Sequence, residues 1–417
     1  MPRRPEQVRS IYLAVALLVA GNGLQGTLVG LRGGLEGMSD QAIGLIMSAN
    51  FVGFIAGSLW APALIQSVGH IRAFAALASI ASAVALAFAI FVSVPVWILL
   101  RAMHGACFAG LIIVVESWLN ASSSRSNRGR TLAVYMVVLY AAWAASQQLI
   151  NVAPVDGFVL FCVVSVCLSL ALVPITLSRS DAPGVVTATR LGLRRLYRVS
   201  PLAMFGSFAL GAGVGAFLGL APVYGQSLGL DDARVSFVMT AMLLGALVLQ
   251  WPIGWLSDRL DRRTIIIGAA AGASLMAVGL GMAEAEPYGA LVALVFLFGG
   301  LAMPIYSICV AHANDQVETE EVIAVSSGLV LTYGVGSAAG PFVASLVMGV
   351  LGPAGLFWFV AAMPAALAAF GLYRREVGEV TPEGDKQGYV AVPQTSHAAM
   401  PLHEHGTGIA DGETAPR

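Results

Sequence analysis

Runs of about 20 apolar residues, broken by short polar, glycine-bearing or proline-bearing stretches, follow one another along most of the chain. A hydrocarbon core ~30 Å thick needs about 20 mostly apolar residues per helix. That length predicts twelve spans, at 8–31, 41–65, 73–95, 96–119, 131–152, 157–178, 203–225, 232–257, 264–283, 287–311, 322–348 and 355–373. The cut at Pro95 leaves almost no loop between spans 3 and 4. The first apolar run, Ile11–Leu31, carries Asn22 and Gln25, and further spans follow it. A secretory signal would have a shorter apolar core and a small-residue cleavage site, so this run reads as a permanent helix.

Composition narrows the class. Of 417 residues, 58% are hydrophobic and 11% charged, and the mean hydropathy is +0.82. Soluble chains carry about 25% charged residues, and a core cannot hide the deficit, because even a ~300-residue domain leaves roughly a quarter of its unfolded surface in water. An ordinary cytosolic enzyme, a disordered chain and a secreted disulfide scaffold are excluded. The expectation is an all-α integral membrane protein. Cys107, Cys162, Cys167 and Cys309 each sit inside an apolar run without metal-ligand spacing, and read as small buried hydrophobes. Neither a metal site nor a cofactor is expected. No nucleophile-elbow, zincin, phosphate-loop or dinucleotide pattern occurs, so no catalytic residue is expected. The net charge of −1 gives no field that would recruit nucleic acid.

The distribution of charge orients the chain. Arg3, Arg4, Arg9, Arg72, Arg125, Arg128, Arg130, Arg179, Arg190, Arg194, Arg195, Arg198, Arg259, Arg262, Arg263, Arg374 and Arg375 all fall on one side of a twelve-span layout. The other side keeps Arg32 and Arg234 with several carboxylates. The positive-inside rule then predicts that both termini are cytoplasmic. An arginine-rich, almost lysine-free chain suggests a GC-rich bacterium, hence a multi-pass protein of the inner (plasma) membrane. The predicted units are a six-helix half at 1–178, a basic linker at 179–202, a second six-helix half at 203–375 and a disordered cytoplasmic tail at 376–417. Within the linker, RLGLRRLYR reads either as a topology-fixing stretch or as a short amphipathic helix on the anionic leaflet.

Shifting the chain by 192 residues (229 less 37) pairs Gly37 with Gly229, Gly23 with Gly215, Gly33 with Gly225, Asp40 with Asp232, Met47 with Met239 and Gly53 with Gly245. Several glycines and a helix-starting aspartate in register mark parallel repeats, which put a solute site between the halves near mid-membrane. At the end of span 8, Gly254-Trp255-Leu256-Ser257-Asp258-Arg259-Leu260-Asp261-Arg262-Arg263 sets carboxylates beside guanidinium groups. Such groups form charge-assisted, often bidentate hydrogen bonds. Asp258, Arg259, Arg262 and Arg263 are therefore candidates for a gate on the cytoplasmic side.

These residues resemble the G-x-x-x-D-R-x-G-R-R pattern of the major facilitator superfamily, with Asp261 where glycine is usual. The copy after span 2 is degraded, with Gln66 at the aspartate position and only Gly69 and Arg72 kept. The span-4 pattern R-x-x-x-G stands at Arg101 and Gly105, and a glycine-proline element lies at Gly334, Gly336, Gly340 and Pro341. The stretches VVESWLNASSSRSNRGR, LQWPIGWLSDR and LTYGVGSAAGP further resemble the YcaD-like branch of that superfamily, transporters of unknown substrate. The resemblance spans about 8–373 and implies two six-helix halves around a cavity lined by spans 1, 4, 7 and 10. In this chain it points to Asn22, Gln25, Arg101, His104 and Tyr306, supplemented by Asn50, Trp143, Gln147 and Tyr333. It also implies, for Arg101, a link to proton coupling.

Glu116, in span 4, lies fifteen residues beyond Arg101, or about 22 Å along a helix, so the two cannot pair. Two readings stay open for it: an inner-gate salt bridge with Arg128, Arg130 or Arg72, and a proton-carrying carboxylate. The lining is neutral and aromatic, which suits an amphipathic solute. The expected function is secondary transport of a small organic solute by alternating access. The preferred form is proton-coupled export of an amphipathic compound. The alternatives are symport or facilitated uptake of a small solute with Arg101 on an anionic group, and a membrane sensor without flux. The expected partners are the solute, protons and the bilayer, with the chain acting as a monomer.

Overall fold

In lipid a backbone N–H or C=O finds no water, and a helix satisfies both within its own segment. Each apolar run accordingly forms a helix. The structure is a computed structural model that describes residues 5–122, 128–177, 192–285, 287–318, 321–377, 389 and 391–393. Its helices are α1 (Pro5–Leu35), α2 (Asp40–Val68), α3 (His70–Ile90), α4 (Val94–Ser122), α5 (Arg128–Gln147), α6 (Val159–Leu170), α7 (Leu172–Thr176), α8 (Leu193–Val199), α9 (Pro201–Ser227), α10 (Asp232–Arg259), α11 (Arg262–Gly281), α12 (Tyr288–Asn314), α13 (Val322–Leu351) and α14 (Gly355–Val377). Among the described residues, twelve helices are long and apolar enough to cross a membrane. The sixth span is α6 with α7, and α8 lies in the linker, so span 7 is α9 and span 12 is α14. Because spans alternate, one face carries the termini (the terminal face) and the other carries the α1–α2, α9–α10 and α13–α14 turns (the opposite face).

Local chemistry sets the ends. Spans 3 and 4 part at residues 91–93, a few residues before the expected cut, and Pro95 falls in the first turn of α4. There its missing N–H leaves no intrahelical bond unmade. Ser39 and Asp231 N-cap α2 and α10, each side chain accepting a backbone N–H three residues on. Gly37 (φ +69°) and Gly229 (φ +74°) make the preceding turns in the left-handed region, which costs glycine nothing. These caps and turns recur 192 residues apart, the spacing of the sequence repeat. In the linker, α8 is docked rather than loose. Its Leu196 is buried against Gly328 of α13, and Arg195 pairs with Glu321.

Within the first half, α2 crosses α4, and within the second, α10 crosses α12. Both crossings are backbone on backbone. A Cβ on Gly53 would collide with the Ala102 carbonyl, and one on Gly105 with the Asn50 carbonyl. In the second half Gly245 meets Phe296 and Gly299 meets Met242 in the same way. Small residues that let helices approach are the usual currency of packing in lipid, where no hydrophobic drive favours one apolar face over another. The halves then meet through α2 with α13, α5 with α10 and α1 with α9.

Four residues of the tail beyond α14 are described. Tyr389, Ala391 and Val392 pack on the apolar core, and Pro393 is buried. The rest of 378–417 lies outside the described residues.

Gly53→Ala should destabilise the fold by about 1–3 kcal/mol, the cost of overpacking a site that cannot yield. Gly268, with open space around its Cβ position, supplies the control. Gly268→Ala should hold or raise the melting temperature in detergent, because alanine is the better helix former by ~1 kcal/mol. Thermal unfolding of the two variants checks the contrast.

Candidate solute cavity and gates

A cavity opens between the halves, walled mainly by α1, α2, α4 and α5, and closed on the other side by α9, α10 and α13. Helical spacing selects its residues. On α1, Val19, Asn22, Gly23, Gly26 and Thr27 share a face, as residues three and four apart must. On α4 the face is Arg101, Phe108 and Ile112, and on α5 it is Tyr140, Trp143 and Gln147. Met47 and Met239, a pair from the sequence repeat, both line the cavity.

Of the residues expected there, Asn22, Asn50, Arg101, Trp143, Gln147 and Tyr333 form the wall. Three others stand behind it. Gln25 is fully buried and off the Asn22–Gly26 face of α1. His104 is fully buried, with Nε2 3.1 Å from Asn22 Oδ1 and its ring stacked on Phe108. It can therefore set the orientation of Asn22 without touching the cavity. Tyr306 is fully buried and packs edge-on against Tyr333, ring centroids 5.2 Å apart. Sequence reading missed Thr27 and Tyr140. Thr27 donates to Gln147 Oε1 and so joins α1 to α5. Tyr140 lies one turn before Trp143, a spacing that could have found it.

Arg101 is the charge in this wall. It is 5% exposed, its Nε and Nη1 have no hydrogen-bond partner, and its Nη2 lies 3.6 Å from the Met47 sulfur. A thioether is a weak acceptor. The guanidinium is thus held beside the cavity by contacts that leave most of its donors unused.

Hydrogen bonds join the halves at the opposite face. Gln226 Nε2 donates to the Leu31 carbonyl at 3.1 Å, and the Phe342 N–H donates to Ser48 Oγ at 3.1 Å. Gln148 Nε2 donates to Thr240 Oγ1 at 2.7 Å, and Asn151 Nδ2 donates to Ser236 Oγ at 3.2 Å. Gly44 and Gly349 admit Ser345 and Gln41 where α2 meets α13. Toward the terminal face the cavity continues past Ile112, Tyr140 and Val330 to Pro393.

The residues expected to form a gate separate into two groups. Arg262, 1% exposed, has its Nε 2.8 Å from Asp315 Oδ2 and its Nη2 3.5 Å from Asp258 Oδ1. Asp261, which replaces the motif glycine, caps α11 by accepting the Arg263 N–H at 3.3 Å; an aspartate is well suited to that position. Arg259 stacks on Trp255, 3.8 Å from the ring centroid. This cluster ties α10, α11 and α12 together inside the second half. Glu116 is buried in the first half and accepts from the Tyr135 hydroxyl at 3.3 Å. Arg72 and Arg130 are exposed, and the side chain of Arg128 lies outside the described ones.

Twelve membrane-spanning helices, two matching halves and a cavity between them define a membrane transporter. The sequence profile described as Major Facilitator Superfamily matches residues 11–231 and 203–404, and the chain belongs to that family. It is 28% identical over 340 residues to an uncharacterised transporter of this type from Enterobacter sp. (strain 638), covering 81% of this chain and 86% of the relative. It is 26% identical over 351 residues to the uncharacterised transporter YcaD of Escherichia coli (strain K12), covering 82% and 89%. Among solved structures, the nucleoside transporter NupG superposes with a TM-score of 0.71 at 13% identity, covering 89% of this chain and 99% of that one. A bacterial homologue of the human lysosomal transporter Spinster, in an inward-facing and unoccupied conformation, gives 0.69 at 12%, covering 92% and 99%. At these identities the structures speak for the fold alone.

Arg262→Gln should leave Asp315 buried without its cation, at about 3–5 kcal/mol. Arg259→Gln removes an exposed stacking contact worth about 0.5–1 kcal/mol. Melting temperatures in detergent should therefore fall sharply for the first and little for the second.

Proposed function

We propose that this transporter is a secondary active carrier of a small amphipathic organic anion, working by alternating access with protons as the coupling ion. The observation that carries the reading is Arg101, a buried guanidinium with unpartnered nitrogens on the wall of an aromatic and apolar cavity. Attraction between opposite charges strengthens as the local dielectric falls, and a fork of N–H donors suits a carboxylate. Phe51, Phe54, Phe108, Tyr140 and Trp143 would receive the apolar body of such a solute. Met47 and Met239 add polarisable, adaptable surface.

The basic residues of the terminal face support placing both termini in the cytoplasm of a bacterium's inner membrane. The bonds at the opposite face then describe an inward-open state. Glu116 is the carboxyl we assign to protons: it is buried within the first half, and it accepts from the Tyr135 hydroxyl. We assign export as the working direction and a monomer as the working unit, since each chain carries its own cavity.

The test uses everted vesicles with an inside-acid gradient and a panel of aromatic and aliphatic carboxylates beside neutral and cationic analogues. The account predicts proton release triggered by carboxylates and absent from empty vesicles. Arg101→Gln should weaken solute binding about 30-fold or more, the scale of losing a partner of a buried charge; Arg101→Lys should recover part of it. Glu116→Gln should keep binding and lose proton release. Saturable flux of neutral analogues only, or full affinity in Arg101→Gln, would overturn the assignment of an anion.

A further inference from the structure

Four described residues of the tail, Tyr389, Ala391, Val392 and Pro393, are seated on the helix bundle, and the last of them lines the cavity. The Tyr389 N–H donates to Asp258 Oδ1 at 2.8 Å. The Cδ1–Cε1 side of its ring sits over Gly254, where any Cβ would collide with it, and its hydroxyl is buried without a hydrogen-bond partner among the described residues. Burial pushes that phenol up to about 12, so it stays neutral at any physiological pH. Three residues on, the Ser307 hydroxyl and the Val392 backbone bond reciprocally. The Val392 N–H donates to Ser307 Oγ, and Oγ donates to the Val392 carbonyl, both at 3.2 Å. Pro393 then reaches the solute cavity and lines it together with Arg101, Tyr140 and Tyr333. Eleven residues lie between Val377, the end of α14, and Tyr389, a reach of up to about 40 Å for a chain of that length.

This is peptide recognition through main-chain groups with one aromatic anchor. Asp258 and Ser307 read the backbone, and Gly254 leaves the room that the Tyr389 ring takes. The glycine and first aspartate of the conspicuous sequence motif thus both serve to seat the tail. Asp258 is 3.5 Å from Arg262 but 2.8 Å from the tail N–H, so its shorter contact is the one to the tail.

We propose that the mouth between α10 and α12 is a docking site for a peptide segment, and that its occupant is the chain's own tail through Tyr389, Ala391, Val392 and Pro393, which competes with solute for entry. A segment seated there narrows access to Arg101 from the terminal face. It also fills space that α5 and α10 must reclaim when that face closes. The tail therefore has to leave before a transport cycle begins. The competition rests on the cavity being the solute site; the docking does not.

The test is binding of a fluorescein-labelled peptide of residues 387–395 to purified protein in detergent, with no transport required. A short tether gives its segment a millimolar effective concentration, so the full chain should exclude the free peptide. Protein truncated after Val377 should bind it saturably, about ten- to a hundredfold tighter than the full chain does. Full-length Tyr389→Ala should likewise bind it, which covers the case of a truncated chain that fails to fold. Peptide with alanine in place of Tyr389 should lose binding, and Gly254→Leu in the truncated protein should abolish it. Equal peptide binding to full-length, truncated and Tyr389→Ala protein, or no binding to any, would overturn the docking site. If peptide binds as predicted but no solute flux is found, the docking site stands and the carrier reading fails.

Discussion

Everything else in the molecule hangs on three backbone crossings, α2 on α4, α9 on α13 and α10 on α12, where glycines let one helix press on the carbonyls of another. Lipid offers little reason for apolar helices to associate, so contact at this range, with its dispersion energy and absence of side-chain entropy, is what binds each half. The second half adds the Asp258–Arg262–Asp315 cluster at its terminal-face end. Each half is thereby stiff. The halves meet by packing of α2 on α13, α5 on α10 and α1 on α9, with side-chain hydrogen bonds at the opposite face each worth about 1 kcal/mol net.

The two buried arginines show how charge is used. Arg262 is paired with carboxylates, and it holds helices. Arg101 sits at the cavity with most of its donors unspent. Burying a cation costs several kcal/mol even after relaxation, and Arg101 meets that cost with only the weak thioether acceptor of Met47 beside it. His104 and Tyr306, one layer back, fix Asn22 and Tyr333 in the wall. The cavity is thus an apolar chamber with one cation and a few directed hydrogen-bonding groups, which is the chemistry an amphipathic anion presents in mirror image.

Much of this was legible in the sequence because lipid makes the code simple. Span number follows from length and polarity, and the 192-residue repeat is visible because the left-handed turns at Gly37 and Gly229 and the close crossings at Gly53 and Gly245 tolerate little else. Arg101, Asn22, Asn50, Trp143, Gln147 and Tyr333 were found because polar or large residues inside apolar spans are few. Gln25, His104 and Tyr306 were set on the wall for the same reason, yet polarity alone does not say which way a helix is turned. Helical register against Asn22 and Trp143 would have separated Gln25 from Thr27 and found Tyr140. The docked tail was not legible at all. Its seat depends on backbone groups, which every sequence possesses, and on Gly254 and Ser307, far away along the chain.

The claim on which the account rests is that two stiff halves exchange which face is closed. Double electron–electron resonance on protein in nanodiscs measures it directly, with one spin-label pair at Arg130 and Leu260 on the terminal face and another at Glu36 and Ala233 on the opposite face. The account predicts that moving from alkaline to acidic buffer, or adding a carboxylate that the protein carries, shifts the two distance distributions in opposite senses. Within-half pairs should not move. Two distances that stay fixed, or lengthen and shorten together, would contradict it.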